Sequence, residues 1–494
     1  MSGNAYHHLH DLGQGRGRLR DLADLAVELA LKMGADYAEA RFHEDVSNMY
    51  MLRNGMPEVA GFVRARGIGI RVLVNGALGF SSLNKPDRTL LERRVQEAIS
   101  MARASARTRK KPIRFSEERA EEARWEVKPK EPFDSVAIED KMALLYDIDR
   151  VLSDEQEIGA RIPFRLLELS ESTSTRYFVN SEGARISSTV PRIMFLAVTT
   201  VLEPEKGTEQ DMVQKGASGG WEALRAWDLM DMLRERLKAL TKVLKEGVSP
   251  PKGKIDIVLG SEVVGLMVHE SCGHPYEADR ILGREAAQAG ESFVSPDMLG
   301  QRIGSELVTV VDDPTVEGSY GYYLYDDEGV RARRRFLIKD GIINEFLHNR
   351  ETAASLGVSS NAAARASGFN REPIVRMANT FMLPGDHEFE ELLEDVKLGV
   401  YIKTYGEWNI DDRRFNMRFI GREAYLIEGG ELKGPVRRPV LEITTPGFYG
   451  SIDAIDKNLS LDAGTCGKGD PPQGVPVWFG GPNVRLRGVA LGGL

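Results

Sequence analysis

The chain predicts an α+β fold, and three observations carry that expectation. Strand-like apolar runs joined by tight turns such as Asn75-Gly76 and Asp340-Gly341 fill much of its length, and such turns join antiparallel neighbours. Helical periodicity is confined to a few segments instead of following every strand, which disfavours a doubly wound sheet. Gly247 to Lys254 (GVSPPKGK) has two prolines, two glycines and no apolar period, so it marks a boundary. The expected domains are 1–247, with a further division near 110–132, and 248–494. The first should mix antiparallel strands and helices. The second should be dominated by antiparallel sheet.

The elements follow in order. The start, to about Arg18, reads as a frayed terminus, and its His7, His8 and His10 as solvated. Gly13 to Gly17 is not a dinucleotide loop, because no strand precedes it. Leu22, Leu25, Leu29 and Met33 recur at helical spacing before Gly34. Strands are expected at Tyr37 to His43, Asn48 to Arg53 and Gly67 to Val74, with a hairpin into Leu78 to Phe80. A helix should span Arg88 to Ala104, with Leu91, Val95, Ala98, Ile99 and Ala102 on one face. Lys110 to Pro132 reads as a connection, followed by a helix over Val136 to Leu152. A meander then runs through Phe164 to Ser170, Arg176 to Asn180, Ala184 to Ser188 and Arg192 to Leu202. A helix over Glu222 to Lys245 ends the first half.

Beyond the boundary, Ile255 to Leu259 is a buried-type strand, and Ser261 is a natural helix N-cap. Strands are expected at Leu307 to Val311, Phe336 to Lys339, Ile342 to Leu347, Ile374 to Met377, Val400 to Tyr405, Asn416 to Ile420, Ala424 to Glu428 and Val436 to Ile443. Helices near Glu388 to Val396 and Phe448 to Ile455 interrupt the series.

Composition narrows the function. A formal net charge of −9, with scattered basic residues, argues against direct nucleic-acid binding. No apolar run is long enough for a membrane span, and no secretory signal is visible. Cys272 and Cys466 are the two cysteines, too few for a disulfide framework, so a reducing cytoplasm is the expected setting.

The informative stretch is Ser261 to His274, SEVVGLMVHESCGH, an apolar run ending in His269-Glu270 and His274. Neutral imidazoles are zinc ligands, and a carboxylate beside them can serve as base for an activated water. The common zinc-hydrolase spacing is H-E-x-x-H, whereas this is H-E-x-x-x-H. On an ideal α-helix a five-residue step turns the side chains apart by about 140°. Both imidazoles reach one metal only if the helix widens or ends, and Gly273 and Pro275 supply that break. Glu270 is better placed as a base than as a ligand. A third ligand is required, and Cys272, Cys466, Glu277 and Asp279 are all candidates. Tyr322, Tyr323 and Tyr325 are candidate oxyanion donors, although their local density is as easily packing.

HESCGHPYEADR resembles the H-E-x-x-G-H motif of the TldD/PmbA family, followed by its Glu and Asp, here Glu277 and Asp279. Gly67 to Ser82, Tyr325 to Val330, Arg376 to Thr380 and Glu423 to Pro435 resemble further family blocks. The resemblance is to the TldD-type catalytic branch, which retains the histidines. It implies one zinc per catalytic subunit, held by His269, His274 and Cys466, with Glu270 as catalytic base. It implies hydrolysis of short or unfolded peptides in a homodimer or a heterodimer with a PmbA/TldE-type subunit. The alternative is a non-catalytic, gyrase-modulator-like regulatory protein with a structural zinc.

Overall fold

The computed structural model describes residues 4–285 and 290–493. Helices and mostly antiparallel sheets segregate as an α+β fold requires. The first helix spans Asn4–Lys32, so it starts well before the expected Leu22. The His7, His8 and His10 side chains lie outside the described residues. The buried face is Leu19, Ala23, Ala26, Val27 and Ala30, with Leu22, Leu25 and Leu29 flanking it.

One seven-stranded sheet organises the first half. Its strands are β1 (Tyr37–Arg53), β2 (Met56–Val74), β3 (Ala77–Leu83), β4 (Glu122–Glu126), β5 (Arg161–Asn180), β6 (Arg185–Glu203) and β7 (Gly207–Ser218). The order is β3-β2-β1-β5-β6, with β4 parallel to one end of β6 and β7 antiparallel to the other. Several expected short strands are thus single long ones. β1 runs on through Glu44 because that carboxylate is buried and accepts Arg64 Nη2 at 2.5 Å. Asn54-Gly55, which was not expected to turn, makes a hairpin with both residues at positive φ, as Asn75-Gly76 does. β4 lies inside the expected connection, and β7 falls between the expected meander and helix, where no element was expected.

Two helical layers cover this sheet. Arg88–Ala106 is capped by Asp87 and buries all five residues expected to face inward. Ile138–Leu152 and Leu229–Glu246 pack on β5 to β7 around Leu145, Phe195 and Leu237. The latter helix is preceded by a separate short one, Trp221–Arg225, where a single helix was expected.

The second half builds a nine-stranded and a six-stranded sheet around one core. Asp340-Gly341 turns as expected, and Gly429-Gly430 turns likewise, all at positive φ. Thr445–Ser451 is helical, but Ile452–Ile455 is a strand. The strand Ser460–Lys468 pairs antiparallel with Gln473–Gly481 and forms one edge of the six-stranded sheet. Cys466 therefore sits on a strand.

Candidate metal centre

The site begins with the helix Ser261–Val268. Val263, Val264, Leu266, Met267 and Val268 are buried on all sides, as befits a helix apolar all round. Its N-cap is Gly260, without a side-chain cap bond, rather than Ser261. A Cβ on Gly265 would lie 2.6 Å from Gly480 Cα, so this glycine lets the helix press against the strand beside Cys466.

At His269 the α-helix gives way to a π-helical turn, His269–Gly273, and His274 N donates to His269 O at 3.2 Å. In a π-turn, residues five apart are hydrogen-bonded neighbours, as residues four apart are in an α-helix. The widened turn resolves the spacing problem: the two imidazole centroids are 4.9 Å apart. Gly273 is needed for space rather than for an unusual φ. A Cβ there would sit 1.8 Å from Met377 Sδ.

Cys466 reaches His274 from the edge strand, with Sγ 3.4 Å from Nε2. The ligand atoms of His269, His274 and Cys466 all lie within 4.8 Å of one another, and all three residues are buried. Cys272 is instead a core residue whose thiol burial pushes well up. Burial also pushes the Cys466 thiol up, but His274 and Arg376 bring it down to about 7. A thiol so poised is easily held as the thiolate that metals bind.

Glu277 and Asp279 stand behind this cluster. Glu277 accepts from His274 Nδ1 at 3.1 Å, which directs the Nε2 lone pair towards Cys466. Arg280 Nε at 2.8 Å and Lys468 Nζ at 3.2 Å hold the same carboxylate. Burial alone would raise Glu277, but Lys468, His274 and Arg280 hold it well below the usual carboxylate range. Lys468 also binds Asp279 at 2.6 Å. It lies two residues beyond Cys466, on the same face of the strand.

Glu270 points elsewhere and accepts Arg414 Nη1 at 2.6 Å. Burial pushes it up, but His274, His269 and Arg414 bring it below its ordinary value. Arg414 was not singled out in the sequence. It sits at φ +65° in a turn, a strained position for a non-glycine residue.

Above these groups opens a cavity of about 330 Å³, walled by Met212 to Lys215 of β7, Met232, Tyr405, Trp408 and Phe479. Tyr322, Tyr323 and Tyr325 do not line it. His269 Nδ1 is buried without a hydrogen-bond partner among the described residues. An orphaned imidazole nitrogen beside a second imidazole and a low thiol fits a zinc-type donor set.

Known proteins match this chain along most of its length. Models for PmbA/TldA metallopeptidase domain 1, central domain and C-terminal domain match residues 38–106, 131–245 and 252–493. A metalloprotease of Methanocaldococcus jannaschii is 34% identical, with 93% of this chain and 97% of that one covered. A protein of Saccharolobus solfataricus named zinc metalloprotease TldD homolog is 25% identical, with 94% and 99% covered. The crystal structure of TldE from Thermococcus kodakarensis has a TM-score of 0.74 at 16% identity, covering 96% of this chain and 100% of that one, a likeness of fold. No described helix is long and apolar enough to cross a membrane.

Proposed function

The chain belongs to the TldD/PmbA metallopeptidase family, and from that premise we propose that it is a zinc-dependent peptidase acting on short or unfolded peptides. The observation that carries this reading is the convergence of His269, His274 and Cys466 within 4.8 Å, with Glu270 beside them. These three residues would hold the metal, and Glu270 would be free of it. When bound, zinc supplies a Lewis acid that polarises the scissile carbonyl and makes water a stronger acid.

The chain's own groups perform the rest. Glu270 takes the proton of the attacking water and returns it to the leaving amine. Arg414 fixes the carboxylate and keeps it ionised. Glu277, clamped by Lys468 and Arg280, orients His274 and sets its tautomer. The apolar wall of Leu266, Trp408 and Phe479 keeps bulk water from the reacting bond. An extended peptide entering between β7 and the Ser460–Lys468 edge would present its backbone to two sheet edges.

The boundary near residue 247 would separate two domains in this reading. The working assembly would be a homodimer or a heterodimer with a PmbA/TldE-type subunit. The test is metal content of the purified chain, with peptide digestion measured before and after chelation. One zinc per chain and cleavage that returns with zinc is the expected result. Cleavage that survives complete removal of metal rejects the reading.

A further inference from the structure

A second cavity, of about 260 Å³, lies between the amino-terminal sheet and the carboxy-terminal half. Val475, the cross-strand partner of Cys466, forms part of its wall, so one strand pair separates it from the metal centre. Three guanidiniums line it: Arg176 and Arg192 from the sheet, and Arg365 from the opposite side. Asp327 pairs with Arg176 at 2.8 Å. Neither Arg192 nor Arg365 has a carboxylate within ion-pair distance among the described residues.

Their hydrogen bonds go to backbone carbonyls, and Arg365 also lies over the Tyr323 ring at 5.3 Å. Arg192 donates to Tyr320 O at 2.9 Å and Tyr322 O at 3.0 Å. Arg365 donates to Met377 O at 2.6 Å and Pro476 O at 2.9 Å. Such contacts aim a guanidinium but leave its charge uncompensated. Burial, with the nearby Arg176 and Arg365 charges, pushes Arg192 down to about 9. Burial pushes Arg365 down to about 10. Both keep their protons at neutral pH, so the depressions register positive charge without a counter-ion. Trp125 Nε1, also in the wall, is buried without a hydrogen-bond partner among the described residues.

The sign of the missing charge follows from the other lining groups. Arg176 and Asp327 cancel. Asp326 is turned into the chain, accepting the amides of Glu328, Val330 and Ala364. Burial and Glu328 push it well above the usual range, towards the neutral form. Asp45 is the remaining carboxylate of the lining, and it lies beyond ion-pair distance of both Arg192 and Arg365 among the described residues. Two guanidinium forks without a paired carboxylate suit an anionic ligand, and a carboxylate matches their paired donors.

We propose that this cavity binds a carboxylate of the peptide substrate, its carboxy terminus or an acidic side chain, with Arg192 and Arg365 as the recognising pair. The source of the carboxylate rests on the peptidase reading. The test therefore reads binding, not cleavage, so that either reading can fail without the other.

Calorimetry on the full-length Glu270→Gln protein would use two peptide pairs. One is acetyl-tetra-alanine with a free carboxylate or an amide. The other is acetyl-Ala-Ala-Glu-Ala amide against its Gln analogue. A preference for the carboxylate of at least about tenfold is expected in one pair, and it identifies the source. Arg192→Gln, made in the same protein, should abolish the preference without changing affinity for the neutral peptide. Should that variant fail to fold, Ser188→Trp fills the cavity from the sheet side and should abolish it equally. Equal affinities or no binding in both pairs overturns the proposal. So does a preference that persists in the variants, as capture by the metal would give.

Discussion

Gly273→Ala tests whether the π-turn is what brings the histidines together. The added Cβ would lie 1.8 Å from Met377 Sδ and 3.2 Å from its Cγ, where ordinary contact begins at 3.4 Å. The two atoms nearest each other must separate by about 1.6 Å (3.4 − 1.8). Met377 is fully buried and its carbonyl is held by Arg365 at 2.6 Å, so it has little room to retreat. Overpacking of this kind costs ~1–3 kcal/mol. Because His274 is the next residue, the displacement falls on a proposed ligand, and metal sites tolerate only about 0.2 Å. Zinc affinity, measured by chelator competition, should fall at least about tenfold, or ~1.4 kcal/mol. Met377→Ala in the same chain removes the clashing atoms and should recover part of the loss. A Gly273→Ala protein with wild-type zinc affinity would refute the reasoning.

Other perturbations separate the remaining roles. Cys466→Ala should lose zinc, whereas Cys272→Ala should keep it and show only ~1 kcal/mol of core destabilisation; metal analysis of both distinguishes them. Glu277→Gln withdraws the acceptor for His274 Nδ1 and should weaken zinc binding ~10–100-fold, again by chelator competition. Asp211 ties β7 to Arg236 and Arg422; burial raises it, but the two guanidiniums bring it from 3.8 to about 2. A depressed carboxylate stabilises the fold above its unfolded value and loses that contribution as pH falls through the folded one. Asp211→Asn should therefore cost ~2 kcal/mol at pH 7, shrinking between pH 4 and 2, as read from denaturation midpoints.

Legibility in the sequence followed the chemistry of each segment. Arg88–Ala106 was readable to every inward residue because its apolar stripe keeps one regular helical spacing from end to end. The Asn75-Gly76 and Asp340-Gly341 turns were readable because their backbone conformation selects those residues. β1 and β5 looked like broken runs because their middles carry polar groups paired across the sheet, such as Glu44 with Arg64 and Ser174 with Asp45. The strand bearing Cys466 was hidden by Gly464 and Gly467, whose signal locally matches that of a loop. His269, Glu270 and His274 were conspicuous, and the need for a break near Gly273 followed from their spacing. That the break is a π-turn, and that the glycine answers Met377, depended on a residue about a hundred positions away. Arg414 carried no signal, since its role arises from a turn placed against Glu270 by the tertiary fold.

The central claim is that Glu270 moves the proton while His269, His274 and Cys466 hold the metal. Its most direct test is Glu270→Gln, scored together for zinc content and peptide cleavage. Full zinc occupancy and a cleavage rate reduced ~10²–10⁴-fold are expected. Cleavage at the wild-type rate with zinc retained would contradict it.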